Sequence, residues 1–471
     1  MNEYHETHQF GRWDPLSHML SEDNVKRAVE AVMANKGVPG PDGMKTTELD
    51  QWMAENKYQL IQDIRNKTYK PQPVRRVYIP KANGKKRPLG IPNVVDRAVQ
   101  QMAAQTLQIC FEPLFSPFSY GFRPGRKAQD AVNQALVYLN EGYEWIIDFD
   151  IEKFFDRVNH DKLISCVRKE INNDVILHLI RKFLKAGVME DGVKVKTAEG
   201  PPQGGPMSPI LANIYLTELD RELDKRGLRY VRYADDFLIL TKSEAAANRV
   251  MESVSRWIHN KLFLNVSAEK TKVVRPTKSK FLGFTFWKDK GTWKCRPHSD
   301  SQRKLTSKIK DKLVRCKAIH KSQNDLEWEL SLILRGWINY YRIGSMKSFL
   351  TRIGMWLRHK YRVVILKRWK NRRTIYENLV KIRDRLVDYF ILADLKPEIA
   401  RSIQRRLTNE RIYAQCFTRC GWYRLANNDV VNSILHPVVL GAQVNKRYGL
   451  IDPLALYEGR DEIYRVQASQ K

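Results

Sequence analysis

The stretch Arg229-Tyr-Val-Arg-Tyr-Ala-Asp-Asp-Phe-Leu-Ile-Leu-Thr241 sets two adjacent carboxylates between two strand-like runs, and few folds tolerate that arrangement. The β-branched, aromatic and aliphatic flanks suit a half-buried pleated surface, while Ala234-Asp235-Asp236 supplies the small and polar residues of a hairpin tip. The spacing predicts a β-hairpin with Asp235 and Asp236 at its tip. Neighbouring carboxylates repel and resist ionising together, so the pair calls for a cation, and a divalent metal is the natural one. A Tyr-x-Asp-Asp string by itself is most often an ordinary solvated turn. Its meaning depends on its companions.

One companion is Trp145-Ile-Ile-Asp-Phe-Asp-Ile-Glu-Lys-Phe-Phe-Asp-Arg-Val158. If residues 145 to 151 form a strand, alternation puts Asp148 and Asp150 on one face and Ile147, Phe149 and Ile151 on the other. A two-metal phosphoryl-transfer site holds its ions ~3.5 to 4 Å apart on shared carboxylates while leaving room for the attacking oxygen and the phosphate. One carboxylate from this strand, together with Asp235 and Asp236, meets that need.

Charge narrows the class of partner. Lys and Arg number 82 against 52 Asp and Glu, a net charge of +30, which exceeds what solubility requires and favours a polyanion such as nucleic acid. No apolar run reaches the ~18 residues of a membrane span, and the polar N-terminus has no signal-peptide pattern. These features predict no membrane association and a cytoplasmic location. Six cysteines in 471 residues make no disulfide framework. Cys416 and Cys420 are spaced i, i+4 with no second pair after them, so zinc is not expected.

Other segments add pieces. From Ser21, the apolar positions Val25, Ala28, Val29 and Val32 share a helical face that Gly37 can end. The turn-rich loop Asn35-Lys-Gly-Val-Pro-Gly-Pro-Asp-Gly43 follows, and composition alone favours a plain connection between helices. Residues 71 to 97 read as a strand, an Asn83-Gly84 turn and a return strand, with Lys81, Lys85, Lys86 and Arg87 clustered where they could share an anion such as a triphosphate. Pro201-Pro-Gln-Gly-Gly-Pro-Met-Ser-Pro209 precedes a helix with apolar Ala212, Leu216, Leu219 and Leu223; Gly204 and Gly205 would leave bare backbone for a ligand beside Gln203. Residues 301 to 400 hold 24 Lys and Arg against 9 Asp and Glu, so this fifth of the chain carries +15. Their pattern is helical, with Trp337, Tyr340, Tyr341 and Gly344 on one stripe and Met346, Phe349, Leu350 and Ile353 on another. A basic helical surface of this kind tracks a phosphate backbone, and aromatics at that spacing belong to the core rather than to stacked bases.

The ordered set Ile79-Pro-Lys81 with Arg87-Pro-Leu-Gly-Ile-Pro92, Tyr120-Gly-Phe-Arg-Pro-Gly-Arg126, Asp148-Phe-Asp-Ile-Glu-Lys-Phe-Phe-Asp156, Pro202-Gln-Gly-Gly205, Tyr233-Ala-Asp-Asp236, Lys270 in Ala268-Glu-Lys-Thr271 and Phe281-Leu-Gly-Phe284 resembles the reverse transcriptases encoded by bacterial group II introns, and among them the short group IIC forms. The resemblance runs over nearly the whole chain. It implies an α+β right-hand polymerase with fingers, palm and helical thumb and a small C-terminal DNA-binding domain. The expected parts are an N-terminal extension and lid loop over 1–70, fingers and palm over 71–300, a thumb and maturase domain over 301–385 and the DNA-binding domain over 386–471. It further implies catalysis and metal binding at Asp150, Asp235 and Asp236, with Ile151 among the metal-binding positions and Asp148 structural. The metals would be two Mg²⁺ ions, with Mn²⁺ able to substitute. Lys81, Arg87, Phe155, Gln203 and Lys270 would bind the nucleotide, with Phe155 under the sugar. Phe281, Leu282, Gly283 and Phe284 would grip the primer. Val38, Pro39, Gly40, Pro41 and Asp42 would form a lid over the template, which reverses the plain-connection reading. Gly336-Trp-Ile-Asn-Tyr-Tyr341 resembles the maturase-specific region.

The implied partners are an RNA template, a DNA or RNA primer, dNTPs, the group II intron RNA and target DNA, in a bacterial cytosol and associated with the nucleoid. Longer members end in an endonuclease with paired cysteines and histidines; nothing after Cys420 offers that set, so target cleavage is not expected. The alternative is a free-standing relative that acts in DNA repair or phage defence.

Overall fold

The computed structural model describes residues 13–80, 86–186, 188–190, 193–195, 204–314, 318–369, 374–375, 377–379, 381 and 450–458. The side chains of 87, 156, 188–190 and 193–195 are outside that description. Lys81, Gln203, Cys416, Cys420 and almost all of 386–471 therefore lie outside the described residues. The chain divides into two compact units, Met1–Leu282 and Gly283–Lys471.

In the first unit, the strand-like stretches do become sheet. Strands β1 (Val74–Pro80) and β2 (Lys86–Ile91) pair antiparallel, from Arg75 opposite Ile91 to Pro80 opposite Lys86. β3 (Trp145–Asp150) carries the first acidic pair. β4 (Val188–Glu190) and β5 (Val193–Val195) extend the β1–β2 sheet in the order β2-β1-β4-β5. The expected hairpin forms from β6 (Arg229–Tyr233) and β7 (Asp236–Thr241), and with β8 (Lys272–Val274) it makes a second sheet of order β6-β7-β3-β8. Ala234 and Asp235 are the two turn residues, so Asp236 is already the first residue of β7.

That second sheet has one acidic face and one dry face. Ile147, Phe149 and Ile151 are buried as the alternation requires, and Ile146 is buried as well because the strand is covered on both sides there. Phe149 lies opposite Phe237, and their rings stack with centroids 4.7 Å apart and planes 5° from parallel. The helix Ser208–Lys225 packs in the same core through Ala212, Leu216, Leu219 and Leu223.

Near the N-terminus, the helix Glu22–Ala34 is capped by the Ser21 side chain and buries Val25, Ala28, Val29 and Val32. The left-handed residue that follows is Lys36, at φ 48°, ahead of Gly37.

The second unit contains the hairpin of β9 (Phe284–Asp289) and β10 (Thr292–Pro297) and the helices Ser299–Lys312, Gln323–Tyr341 and Lys347–Arg368. Trp337 packs on Tyr341 and Phe349 at 4.6 and 5.5 Å, a core role. Two details of the helical stripes are corrected. The helix ends at Tyr341, so Gly344 is beyond it, and Met346 is the buried cap of the next helix rather than part of its first turn. Inside this unit Glu327 is buried and accepts a hydrogen bond from Tyr361 at 2.6 Å. Among the described residues no helix is long and apolar enough to cross a membrane.

Phe149→Ala removes one ring of the stacked pair and leaves a cavity in a packed core. The expected loss is ~3 to 5 kcal/mol in chemical denaturation, with the secondary-structure signal of the folded state retained.

Candidate active site

Antiparallel register brings the two acidic segments together. Asp150 lies directly opposite Asp236, and Asp148 opposite Leu238; residues facing each other across a ladder, and those two apart on a strand, share a face. Asp148, Asp150 and Asp236 thus line one side of the sheet while Phe149 and Phe237 line the other. Asp235 precedes Asp236 in the turn. Burial pushes the Asp236 carboxyl up to about 8, helped by the charges of Asp148, Asp235 and Asp150. Asp148 is raised to about 6, again by burial, with Lys272 opposing and Asp150 adding to the rise; Lys272 is its partner across β8.

The loop from 265 to 271 laces onto β3. Asn265 O accepts from Glu152 N at 2.8 Å, Ser267 N donates to Asp150 O at 2.8 Å, and Asp150 N donates to Thr271 Oγ1 at 3.2 Å. This loop delivers Lys270, whose Nζ lies 2.8 Å from Asp150 Oδ2. Ile151 is buried and bridges to Val266. Among the described residues no three Asp, Glu, His or Cys side chains close into a metal shell. Asp150 pairs with the Lys270 ammonium. The donors are all carboxylate oxygens at adjoining register positions, which is the chemistry a hard divalent cation takes, so the residues fit such an ion once Lys270 yields its place.

Phe155 sits on the short helix Phe154–Arg157 next to Asp150's strand, half-buried, its ring edge-on to that of Phe154 at 5.1 Å. Arg87 has its backbone in β2 opposite Ile79. Gly204 is exposed and Gly205 buried, and neither has room for a side chain. Gly204 adopts φ +123° against the carbonyl of Gly90, and a side chain on Gly205 would strike Gln100; their freedom serves protein packing. At the other motif, Phe281 and Phe284 are fully buried and the turn between them uses positive φ at Leu282 and Gly283. Within the second unit, Gly283 O accepts from Ser301 Oγ at 3.0 Å, and Phe284 packs on Tyr341 at 4.8 Å.

The loop of Val38, Pro39, Gly40, Pro41 and Asp42 is tied down by residues that composition did not reveal. Arg97 Nη2 donates to Val38 O at 2.5 Å and its Nε to Pro92 O at 2.9 Å, Arg75 Nη2 donates to Pro39 O at 2.7 Å, and Asp42 N donates to Asn93 Oδ1 at 3.4 Å. Gly40 lies so close to the Asn93 backbone, 2.7 Å from its Cα for a would-be Cβ, that no larger residue fits. The Val38 side chain remains exposed. The sequence signal for these anchors is faint: Arg97 and Asn93 flank the start of the apolar helix Val94–Phe111.

Residues 79–286 match the family model for reverse transcriptase (RNA-dependent DNA polymerase), and residues 302–381 match that for the group II intron, maturase-specific domain. The group II intron-encoded protein LtrA of Lactococcus lactis subsp. cremoris is 33% identical over 333 residues, which cover 57% of this chain and 55% of LtrA. Protein YkfC of Escherichia coli (strain K12) is 33% identical over 289 residues, 53% of this chain and 76% of YkfC. An uncharacterized 91 kDa protein in the cob intron of Schizosaccharomyces pombe is 36% identical over 206 residues, 44% of this chain and 25% of that protein. The chain therefore spans about half the length of LtrA. Reverse transcriptases generally depend on a divalent metal, in keeping with the carboxylate face.

The raised carboxyls give a pH prediction. Their unfolded values are near ~4, so the folded chain binds more protons than the unfolded one up to the folded values of about 6 for Asp148 and about 8 for Asp236. Stability without divalent cation then falls as the pH rises through that window. Thermal unfolding in chelator from pH 5 to 8.5 should show a declining Tm, and Asp236→Asn should flatten the upper part of the decline. Added divalent cation should stabilise the wild type more at pH 8 than at pH 5.

Proposed function

The chain belongs to the reverse transcriptase family, in the branch that carries the group II intron maturase-specific domain, and we propose from that premise that it is an RNA-directed DNA polymerase of a group II intron. The observation that carries this reading is the pairing of Asp150 with Asp236 beside Asp235 on one face of a sheet whose other face is dry. Two Mg²⁺ ions, with Mn²⁺ as a substitute, would activate the primer 3′ oxygen and neutralise the departing pyrophosphate. Asp150, Asp235 and Asp236 would hold them, with the backbone of Ile151 alongside. Lys270 would pass from Asp150 to the triphosphate, where Lys81 and Arg87 add cationic grip, Gln203 lines the pocket and Phe155 lies under the sugar to exclude a 2′ hydroxyl. Phe281 to Phe284 would steady the primer end, and the anchored loop Val38 to Asp42 would cover the template. Asp235→Asn should abolish primer extension while template-primer binding stays near wild type, because the loss is confined to the carboxylate face. Substantial extension by this variant in Mg²⁺ would sink the assignment.

The same reading extends to RNA partners. Residues 302–381 match the maturase-specific domain, and the +15 of residues 301–400 supplies a polyanion surface. We take the protein to bind its own intron RNA as a splicing cofactor, with residues 386–471 on target DNA, in the bacterial cytosol close to the nucleoid. Charge alone gives binding that weakens steeply with salt and ignores sequence, whereas shape and specific contacts leave a preference. Competition between intron RNA and length-matched random RNA at about physiological ionic strength, where screening extends ~8 Å, should favour the intron. Equal competition would remove the maturase half of the reading.

A further inference from the structure

The turn that presents Asp235 and Asp236 is strained. In a two-residue hairpin loop the first position takes positive φ, a place for glycine, and here it is Ala234, at φ 60°. A side chain with a Cβ is disfavoured in that region unless its surroundings hold it there. The surroundings in this case are polar, buried and specific.

Arg232 lies two residues before Ala234 and is fully buried, as are Asp220 and Asn213. Its Nε and Nη2 form a fork on Asp220, at 2.7 Å to Oδ1 and 2.5 Å to Oδ2. Its Nη1 donates to Asn213 Oδ1 at 3.1 Å and to Ala234 O at 3.0 Å. Asn213 Nδ2 in turn donates to Gly121 O at 2.8 Å. Gly121 presses on the turn from the other side: a Cβ there would strike Ala234 N and come within 2.9 Å of Tyr233 C. The backbone of Arg232 is fixed as well, its N donating to Phe118 O at 2.9 Å and its O accepting from Tyr120 N at 2.8 Å. Asp220 and Asn213 both stand on the helix Ser208–Lys225, which is seated in the hydrophobic core.

Burying an ion pair is a poor route to stability, since well-packed apolar side chains of similar volume often do as well or better. Its position under a strained turn supplies another reason. We infer that Arg232, locked by Asp220 and Asn213 and opposed by Gly121, is a positioning residue that sets Asp235 and Asp236 in place for cation binding. The inference rests on the reading of those two aspartates as metal ligands. It also gives Tyr120-Gly-Phe-Arg-Pro-Gly-Arg126 a task, because Gly121 and the backbone of Tyr120 are the outer jaw of the clamp.

Mn²⁺ binding to the full chain, followed by electron paramagnetic resonance with Tm measured alongside, tests it without reference to turnover. Arg232→Lys keeps the charge and loses the fork; Gly121→Ala leaves the ion pair intact and pushes on the turn. Each should weaken Mn²⁺ binding by about tenfold, the lower end of the loss seen when a residue that orients a metal ligand is removed. Glycine accepts φ 60° without strain, so Arg232→Lys/Ala234→Gly should recover most of the affinity that Arg232→Lys loses. If Arg232→Lys does not fold, Gly121→Ala carries the test alone. Folded variants with lowered Tm and wild-type Mn²⁺ affinity would overturn the positioning role and leave a structural ion pair. Wild type that binds no Mn²⁺, or Asp235→Asn that binds it as well as wild type does, would overturn the ligand reading, and this inference with it.

Discussion

Electrostatic repulsion on one face of a four-stranded sheet is the constraint around which the first unit is arranged. The register that sets Asp150 against Asp236 would be avoided in a sheet free to slip, because like charges directly opposite are destabilising. Slippage by one residue would carry Phe149 and Phe237 out to the acidic side and the carboxylates into the core. The stacked, fully buried rings therefore hold the acids together against their own repulsion. Burial first, and then the neighbouring charges of Asp148, Asp235 and Asp150, keep a proton on Asp236 well above the ordinary carboxylate range.

Irregular backbone near this sheet is held by guanidinium forks rather than by apolar packing. Arg97 caps carbonyls at Val38 and Pro92, Arg123 caps those of Ser116 and Ser119 at 2.7 and 2.9 Å, and Arg232 caps that of Ala234. All three are buried. Loops built of Gly and Pro offer little side chain to pack, and carbonyls removed from water need donors. One planar arginine supplies several donors in a fixed geometry. Segments whose composition suggests mobility are thereby pinned, which suits a surface that must present a few groups in fixed positions.

The sequence was most legible where periodicity and burial agree. Asp148 and Asp150 alternate with Ile147 and Phe149, the expected hairpin forms with its tip one residue earlier than Asp235 and Asp236, and the helix after Ser21 buries the residues its spacing selects. It was least legible where a residue acts against its usual preference. Arginine in a strand is read as outward-facing, yet Arg232 is wholly inside; the available hint was Asp220, a charge standing between Leu216, Leu219 and Leu223 on an apolar helix face. Gly204 shows a related limit, since a glycine that clears space for a ligand and one that clears space for a neighbouring carbonyl have the same letter. Gly344 continued a helical period past the residue at which the helix stops, because periodicity carries no information about chain termination.

A chain of net charge +30 must still draw in a divalent cation, and the local arrangement explains how it can. At physiological ionic strength charges are screened over ~8 Å, so exposed lysines and arginines elsewhere scarcely reach the acidic face, while the half-buried carboxylates interact through a medium less polar than water. What opposes the cation is near at hand: Lys270 on Asp150, Lys272 across from Asp148, and the proton on Asp236. These three already offset part of the negative charge that a metal would neutralise, which lets the sheet fold before any ion arrives. On the proposed reading, binding would be an exchange, in which the Lys270 ammonium and a proton leave and a divalent cation takes their place. Affinity for the ion would accordingly be lower than four carboxylates would give unopposed, and it would rise with pH as the proton on Asp236 becomes easier to displace.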